Sequence, residues 1–291
     1  MIIDSNILTK KKFKVIICGS GPAGISLALD LEKKKINCLI IESGDKFYTD
    51  KAQKRYEGKV IGNFPNNLSE LRLSQFGGTS GHWGGSCGVL DDYDFKKWPI
   101  NKIDLDPFLD DSCKILNIKN QFREKEITNN LKIIEFKESD VMFFDKYFEH
   151  IKRSKYINLV LNSSIFNIKT ENGIIKQIAI KSENIIYIEA NILVLACGGI
   201  ENSRLLLWFR ENNNSISSKM PIGNFWMEHP FKVIGTGIGN FKKIKKFFYN
   251  DFDSFYNFRN WGNFTVSLSP TEKVIQRKKI LNSCAWLTIH D

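Results

Sequence analysis

The stretch Val15-Ile16-Ile17-Cys18-Gly19-Ser20-Gly21-Pro22-Ala23-Gly24-Ile25-Ser26-Leu27-Ala28-Leu29 decides the fold. A short apolar run comes first, three glycines follow in the spacing G-x-G-x-x-G, and from Ile25 to Glu32 the apolar residues recur at helical spacing. The reading is strand, tight turn, helix. Gly19 permits the turn, Gly21 lets the backbone approach a diphosphate, and Gly24 allows the helix to pack closely on the strand. The helix N-terminus, where Pro22 and Ala23 stand, offers N–H groups and roughly half a positive charge, which suits an anion.

After Lys33-Lys34-Lys35, Cys38 to Ile41 is a second continuously apolar run, as buried parallel strands are. It ends at Glu42, with Ser43 and Gly44 behind it. Glu42 lies 18 residues beyond Gly24, where a carboxylate can accept hydrogen bonds from ribose hydroxyls and would repel a phosphorylated ribose. This completes a βαβ dinucleotide-binding unit. The fingerprint by itself fits FAD or NAD, so an NAD-linked dehydrogenase stands as an alternative.

From Lys46 to Leu73 the chain is polar and irregular, and a second glycine-rich stretch, FGGTSGHWGGSCG, runs from Phe76 to Gly88. Between Asp91 and Lys155 lies a partly helical insert, with helices expected around Leu105 to Leu116 and Met142 to Ser154. Leu159 to Ile168, Ile174 to Ile180 and Ile185 to Ile188 read as an antiparallel meander with turns at Asn172-Gly173 and Glu183-Asn184. Ile192 to Ala196 is then a buried strand that leads through Cys197, Gly198 and Gly199 into a helix from Glu201 to Phe209. The expected class is α/β: a Rossmann-like FAD-binding domain, a parallel sheet with an antiparallel meander, plus part of an α+β substrate domain. Residues 12–90 and 158–230 would form the FAD-binding domain, 91–157 a cap or substrate region, and 231–291 the start of the substrate domain.

The order of these elements, with a fingerprint at the start and a late strand ending in a second glycine turn, resembles FAD proteins with a split nucleotide-binding domain. Gly77-Gly78-Thr79-Ser80-Gly81-His82-Trp83-Gly84-Gly85 looks like the flavin-contacting loop of the glucose-methanol-choline (GMC) oxidoreductases. Trp98-Pro99-Ile100 with Asp104 to Pro107, Ala196 to Leu205, and Gly223-Asn224 with Glu228-His229-Pro230 are similar to further stretches of that family, closest to bacterial sugar and polyol dehydrogenases. The resemblance implies an FAD-dependent enzyme that oxidises a CH–OH group of a sugar, polyol or other alcohol by hydride transfer to flavin N5. Its cofactor-binding residues would be Gly19, Gly21, Pro22, Ala23, Gly24, Glu42, Ser43, Gly77, Gly78, Thr79, Ser80, His82, Trp83, Gly84, Ala196 and Gly198.

In some members with a similar Ser-x-His-Trp arrangement the histidine is joined covalently to the flavin. For His82 that stands beside the simpler reading of a hydrogen-bonding or packing residue. The family's catalytic base and its His or Asn partner come from a C-terminal segment, and nothing after His229 matches it, so no catalytic residue is assigned here. The expectation is a fragment, a split or truncated gene, or a non-catalytic flavin binder, with an exposed sheet edge and apolar surface. The electron acceptor is left open.

The 291 residues carry a formal charge of +10, but the lysines are scattered, with no arginine-rich block, so no nucleic-acid partner is expected. The densest cluster, Lys242, Lys243, Lys245 and Lys246, reads as a solvated face. No run approaches the about 20 apolar residues of a membrane helix, and no signal peptide is visible. The six cysteines show no CxxC pair or metal-ligand spacing, and four lie in apolar surroundings; reduced thiols in a cytoplasmic protein without a metal are expected.

Overall fold

A computed structural model describes residues 1–62, 67–212, 216–227, 231–240, 243 and 265–288. The chain divides into two units, Met1–Trp83 with Val141–His229, and Gly84–Asp140 with Pro230–Asp291.

The strands of the first unit are β1 (Val15–Cys18), β2 (Cys38–Ile41), β3 (Ile157–Val160), β4 (Ser164–Glu171), β5 (Ile174–Lys181), β6 (Ile185–Glu189) and β7 (Leu193–Leu195); its long helices are α1 (Pro22–Lys33) and α2 (Gly198–Asn212). β7, β1, β2 and β3 form a parallel sheet in that order, with Cys18 opposite both Leu195 and Ile41. Every residue of β1, β2 and β3 is buried, which is why these runs are apolar without alternation. Beyond β3 the chain's first residues extend the sheet: Ile3 N–H donates to the Leu159 carbonyl at 2.9 Å, and Leu159 N–H to that of Met1 at 2.8 Å.

Gly21 caps α1 and Pro22 opens it, where a fixed φ and a missing N–H cost nothing. Gly24, Ile25 and Ala28 form its buried face. A Cβ on Gly24 would stand 2.1 Å from the Gly19 carbonyl oxygen, so only glycine lets this helix sit so close to the turn.

One expected run divides. Leu159 to Ile168 is not a single meander strand: β3 pairs in parallel with β2, whereas β4 pairs antiparallel with β5. The break falls at Asn162, whose φ is +52°, and Ser163, whose N–H donates to the Glu42 carbonyl at 2.9 Å. In the meander itself, Asn172 (φ 51°) and Gly173 (φ 75°) both have the positive φ that a tight type I′ hairpin requires. Its inner faces supply Ile165, Ile168, Ile178, Ile180 and Ile188 to one core with Ile16, Leu39 and Ile41 of the parallel sheet and Leu205 and Phe209 of α2. The helix expected from Met142 to Ser154 is two short ones, Phe143–Lys146 and Phe148–Arg153, broken at Tyr147.

In the second unit, Ala285–Thr288, Thr265–Pro270, Leu131–Ile134 and Glu124–Glu126 form an antiparallel sheet in that order, and Ser86–Cys87 pairs with Lys137–Glu138. The helix expected over Leu105 to Leu116 is interrupted by a 3₁₀ turn, Asp106–Phe108, that contains Pro107. Lys132 is buried there between Glu124 at 2.7 Å and Asp91 at 3.2 Å. Of the six cysteines, three are buried (Cys18, Cys38, Cys113), Cys87 and Cys197 are half-buried, and Cys284 is exposed. Among the described residues, no helix is long and apolar enough to cross a membrane, and no group of three or more metal-ligating side chains converges.

Candidate functional site

In the first unit a cavity of about 510 Å³ opens at the carboxyl ends of β1, β2 and β7, where Cys18, Ile41 and Ala196 line it. Ligands of open α/β sheets bind at such strand ends. Gly19, Gly21, Pro22, Ala23, Glu42, Ser43, Gly78, Thr79, Ala196 and Gly198 also face it, so residues from four separate stretches of sequence meet on one wall.

Backbone contacts too close for side chains hold these stretches together. Gly19 has φ +99°, and a Cβ there would lie 2.6 Å from the Ala196 carbonyl oxygen. Gly77 (φ +85°) donates its N–H to the Ser20 carbonyl at 3.0 Å, and a Cβ on Gly78 would lie 3.1 Å from the Gly21 Cα. The second glycine loop therefore rests on the first. Gly21 differs: its nearest neighbour to an added Cβ is the Ala196 carbonyl at 4.0 Å, so that position borders the cavity itself. No side chain caps the α1 N-terminus beside it.

Glu42 ends β2 as the spacing predicts, only 5% exposed. Its Oε2 accepts from Ser20 N–H at 3.0 Å and from Ser20 Oγ at 2.6 Å; its Oε1 accepts from Gly44 N–H at 2.7 Å and Ser43 Oγ at 3.4 Å. Burial pushes the carboxyl above its ordinary range, and the bonds from Ser20, Gly44 and Ser43 offset only part of that. The carboxylate thus clamps the glycine turn to the end of β2. Ser43 Oγ also lies 3.2 Å from Ser74 Oγ, so rotation of that hydroxyl opens one acceptor position of Glu42.

Other expected residues lie off the cavity wall. Gly24 packs against Gly19, Ser80 is buried and donates to the Gly77 carbonyl at 2.7 Å, and Trp83 Nε1 donates to the Val141 carbonyl at 3.1 Å. His82 follows the 3₁₀ turn Gly78–Gly81, its N–H donating to the Thr79 carbonyl at 3.2 Å, and its ring is not part of the lining. Gly84 belongs to the second unit. Glu228, His229, Pro230 and His290 lie outside the described residues, as do Lys242, Lys245 and Lys246.

Sequence reasoning missed an arginine-rich wall. Arg55, Tyr56, Arg72, Glu201 and Arg204 all line the cavity. Arg72 pairs with Glu201 at 2.9 Å, both side chains nearly buried, while Arg204 reaches the other oxygen of Glu201 at 2.7 Å. The Arg72 guanidinium also donates to the carbonyls of Leu68 (3.1 Å) and Tyr56 (3.3 Å) and lies 4.1 Å over the Tyr56 ring. Burial first, then the acids Glu42 and Glu201, raise the Tyr56 hydroxyl above its ordinary range. Arg55 donates to the Ser43 carbonyl. The cavity that takes in the glycine-lined helix terminus is thus also lined by three arginines and a tyrosine.

No protein-family model and no curated protein matches the sequence. Among solved structures, the chain is similar to pyridoxine 4-oxidase from Mesorbium loti, with 15% identity and a TM-score of 0.50 over 68% of this chain and 52% of that one. An FAD-dependent oxidoreductase from Chaetomium thermophilum (13% identity, TM-score 0.48, 68% and 47% covered) and formate oxidase (14%, 0.44, 68% and 47%) also match. The chain spans about half the length of these structures. The α/β fold with its parallel and antiparallel sheets, which the sequence implied, is shared with pyridoxine 4-oxidase over 68% of this chain.

Proposed function

We propose that the first unit binds FAD in this cavity and belongs to a GMC-type oxidoreductase that oxidises a CH–OH group of a sugar, polyol or other alcohol in the cytoplasm. The observation that carries the reading is the convergence of Gly19 to Ala23, Glu42-Ser43, Gly78-Thr79 and Ala196 to Gly199 around one cavity. The residues present fit the ADP half of the cofactor. Space remains at Gly21 where any side chain would intrude, the uncapped α1 N-terminus borders it, and Glu42 retains an acceptor position through Ser43.

In this reading the N-terminus of α1 and the backbone of Gly21 bind the diphosphate, Glu42 orients a ribose hydroxyl, and Arg55 and Arg72 supply positive charge. Bound FAD would supply a hydride acceptor. The Gly77–Gly78 loop, seated on Ser20, positions backbone toward the cofactor, and His82 beyond it is the proposed neighbour of the flavin ring. A covalent bond through His82 is testable separately: acid denaturation that releases all yellow colour excludes it. The sugar or polyol preference rests on the motif resemblance, and no residue is assigned as the base that removes the hydroxyl proton.

The ultraviolet-visible spectrum of the purified chain tests cofactor binding, since flavin is yellow and NAD colourless. Anaerobic addition of an alcohol panel tests catalysis. Bleaching of the flavin absorbance is expected; a bound flavin that no alcohol bleaches would leave this chain a flavin binder without activity of its own.

A further inference from the structure

Two cysteines 179 residues apart in sequence meet at the floor of the cavity. Cys18 is the last residue of β1 and Cys197 lies on the turn between β7 and α2. Their sulfurs are 3.2 Å apart, and Cys197 Sγ is also 3.1 Å from the Cys18 carbonyl oxygen. The strand ends that carry them are held by Ala196 N–H donating to that same carbonyl at 2.7 Å and by the parallel pairing of Cys18 with Leu195. Cys197 N–H is in turn bonded to Asn202 Oδ1 at 2.9 Å, which fixes the turn. Closing a disulfide of about 2.05 Å needs the sulfurs to approach by only roughly 1.2 Å, a side-chain adjustment between backbones already registered.

We propose that Cys18 and Cys197 form an oxidation-sensitive dithiol, which a peroxide converts to a disulfide joining β1 to the turn after β7. Both residues line the cavity, and Cys197 is half-buried whereas Cys18 is buried, so Cys197 is the sulfur that meets the oxidant first. The Cys197 thiol gives up its proton and the thiolate attacks the peroxide; the O–O bond breaks, a sulfenic acid forms, and the leaving hydroxide takes that proton as one water. Cys18 then attacks that sulfur, the S–S bond forms as the S–O bond breaks, and a second water leaves. Net, two thiols and one hydrogen peroxide give one disulfide and two waters. The hydrogen bond shared with Cys197 and then desolvation keep the Cys18 thiol protonated well above its ordinary range, so Cys18 is slow to react alone and turns over only once Cys197 has been oxidised beside it. The bond would pin the floor of the cavity at Gly19 and Gly198, whichever nucleotide the cavity holds.

The test treats the full reduced chain with hydrogen peroxide, removes the peroxide with catalase, quenches with N-ethylmaleimide in denaturant so that the buried thiols are also labelled, and analyses a non-reducing proteolytic digest by mass spectrometry. The expected result is a cross-linked pair of peptides containing Cys18 and Cys197, two hydrogens lighter than their sum and cleaved by dithiothreitol, with maleimide labelling of both falling on the order of tenfold while Cys38 is unchanged. Cys197→Ser and Cys18→Ala each remove the linked species; Cys38→Ala leaves it. Sulfinic or sulfonic acid at Cys197 with Cys18 still labelled, a linkage to another cysteine, or full labelling of both after peroxide overturns the proposal.

Discussion

Arg72 Nη1 and Glu201 Oε1 meet at 2.9 Å on the cavity wall although 129 residues separate them. Their side chains are 14% and 13% exposed, so removing Glu201 leaves the nearly buried Arg72 charge without its carboxylate, whereas removing Arg72 leaves Glu201 paired with Arg204 alone. Glu201→Ala is expected to cost about 3 kcal/mol, and the double variant Arg72→Ala/Glu201→Ala less than the sum of the two singles. Urea unfolding of the four proteins measures the coupling. A coupling below about 0.5 kcal/mol would show that the pair contributes nothing specific, with Arg204 taking over Glu201 alone.

The glycines of the fingerprint should separate folding from binding. Gly24→Ala puts a methyl 2.1 Å from the Gly19 carbonyl and is expected to destabilise by about 3 kcal/mol or more. Gly21→Ala meets only the Ala196 carbonyl at 4.0 Å, and φ there is −69°, which alanine adopts freely. That variant should fold within about 1 kcal/mol of the parent yet retain flavin at least on the order of tenfold less well. Equal flavin content in parent and Gly21→Ala would argue against a diphosphate at this turn.

What could be read before the structure was local in origin. Gly19 by its positive φ and Gly24 by its approach to the Gly19 carbonyl are demanded by backbone geometry within six residues, Gly21 stands between them in the same motif, and Glu42 follows from the length of one helix and one strand, so short-range spacing carries them all. Arg55, Tyr56 and Arg72 were not legible, because they come from an irregular polar segment with no period and reach the cavity only through contacts with Ser43 and Glu201. The division between β3 and β4 was hidden for a related reason: apolar residues continue on both sides of it, and one period describes a buried parallel strand followed by an antiparallel one poorly. Asn162-Ser163-Ser164 was the available turn signal.

Glu42 should leave a mark on the acid side of the stability profile. Burial raises its carboxyl above the ordinary 4.5 despite the bonds from Ser20, Gly44 and Ser43, so the folded chain holds this proton more tightly than the unfolded one. Stability from this group is therefore greatest below 4.5 and declines as pH rises through the folded value. Glu42→Gln removes that slope and sets an amide N–H₂ against the donors of Ser20 or Gly44, costing about 1–3 kcal/mol. Urea midpoints of parent and variant across this window should draw together as pH rises; parallel profiles would place the titration elsewhere.

Glu32 should act with the opposite sign. It sits at the last turn of α1 and takes hydrogen bonds from Ser154 and from His150, whose Nε2 is 2.5 Å away. Burial works to raise its carboxyl, but those two bonds and the charge of His150 outweigh it and hold the group below 4.5. A depressed carboxyl contributes stability above its unfolded value and loses it as pH falls through the folded one. Because the His150 side chain is 52% exposed, solvent screens the pair, and Glu32→Gln is expected to cost only about 1 kcal/mol at neutral pH. That difference should vanish on acidification below 4.5, and 1 M salt should shrink it at neutral pH. A difference that grows toward acid would mean that Glu32 is held above, not below, its ordinary range and that the bonds from Ser154 and His150 do not outweigh burial.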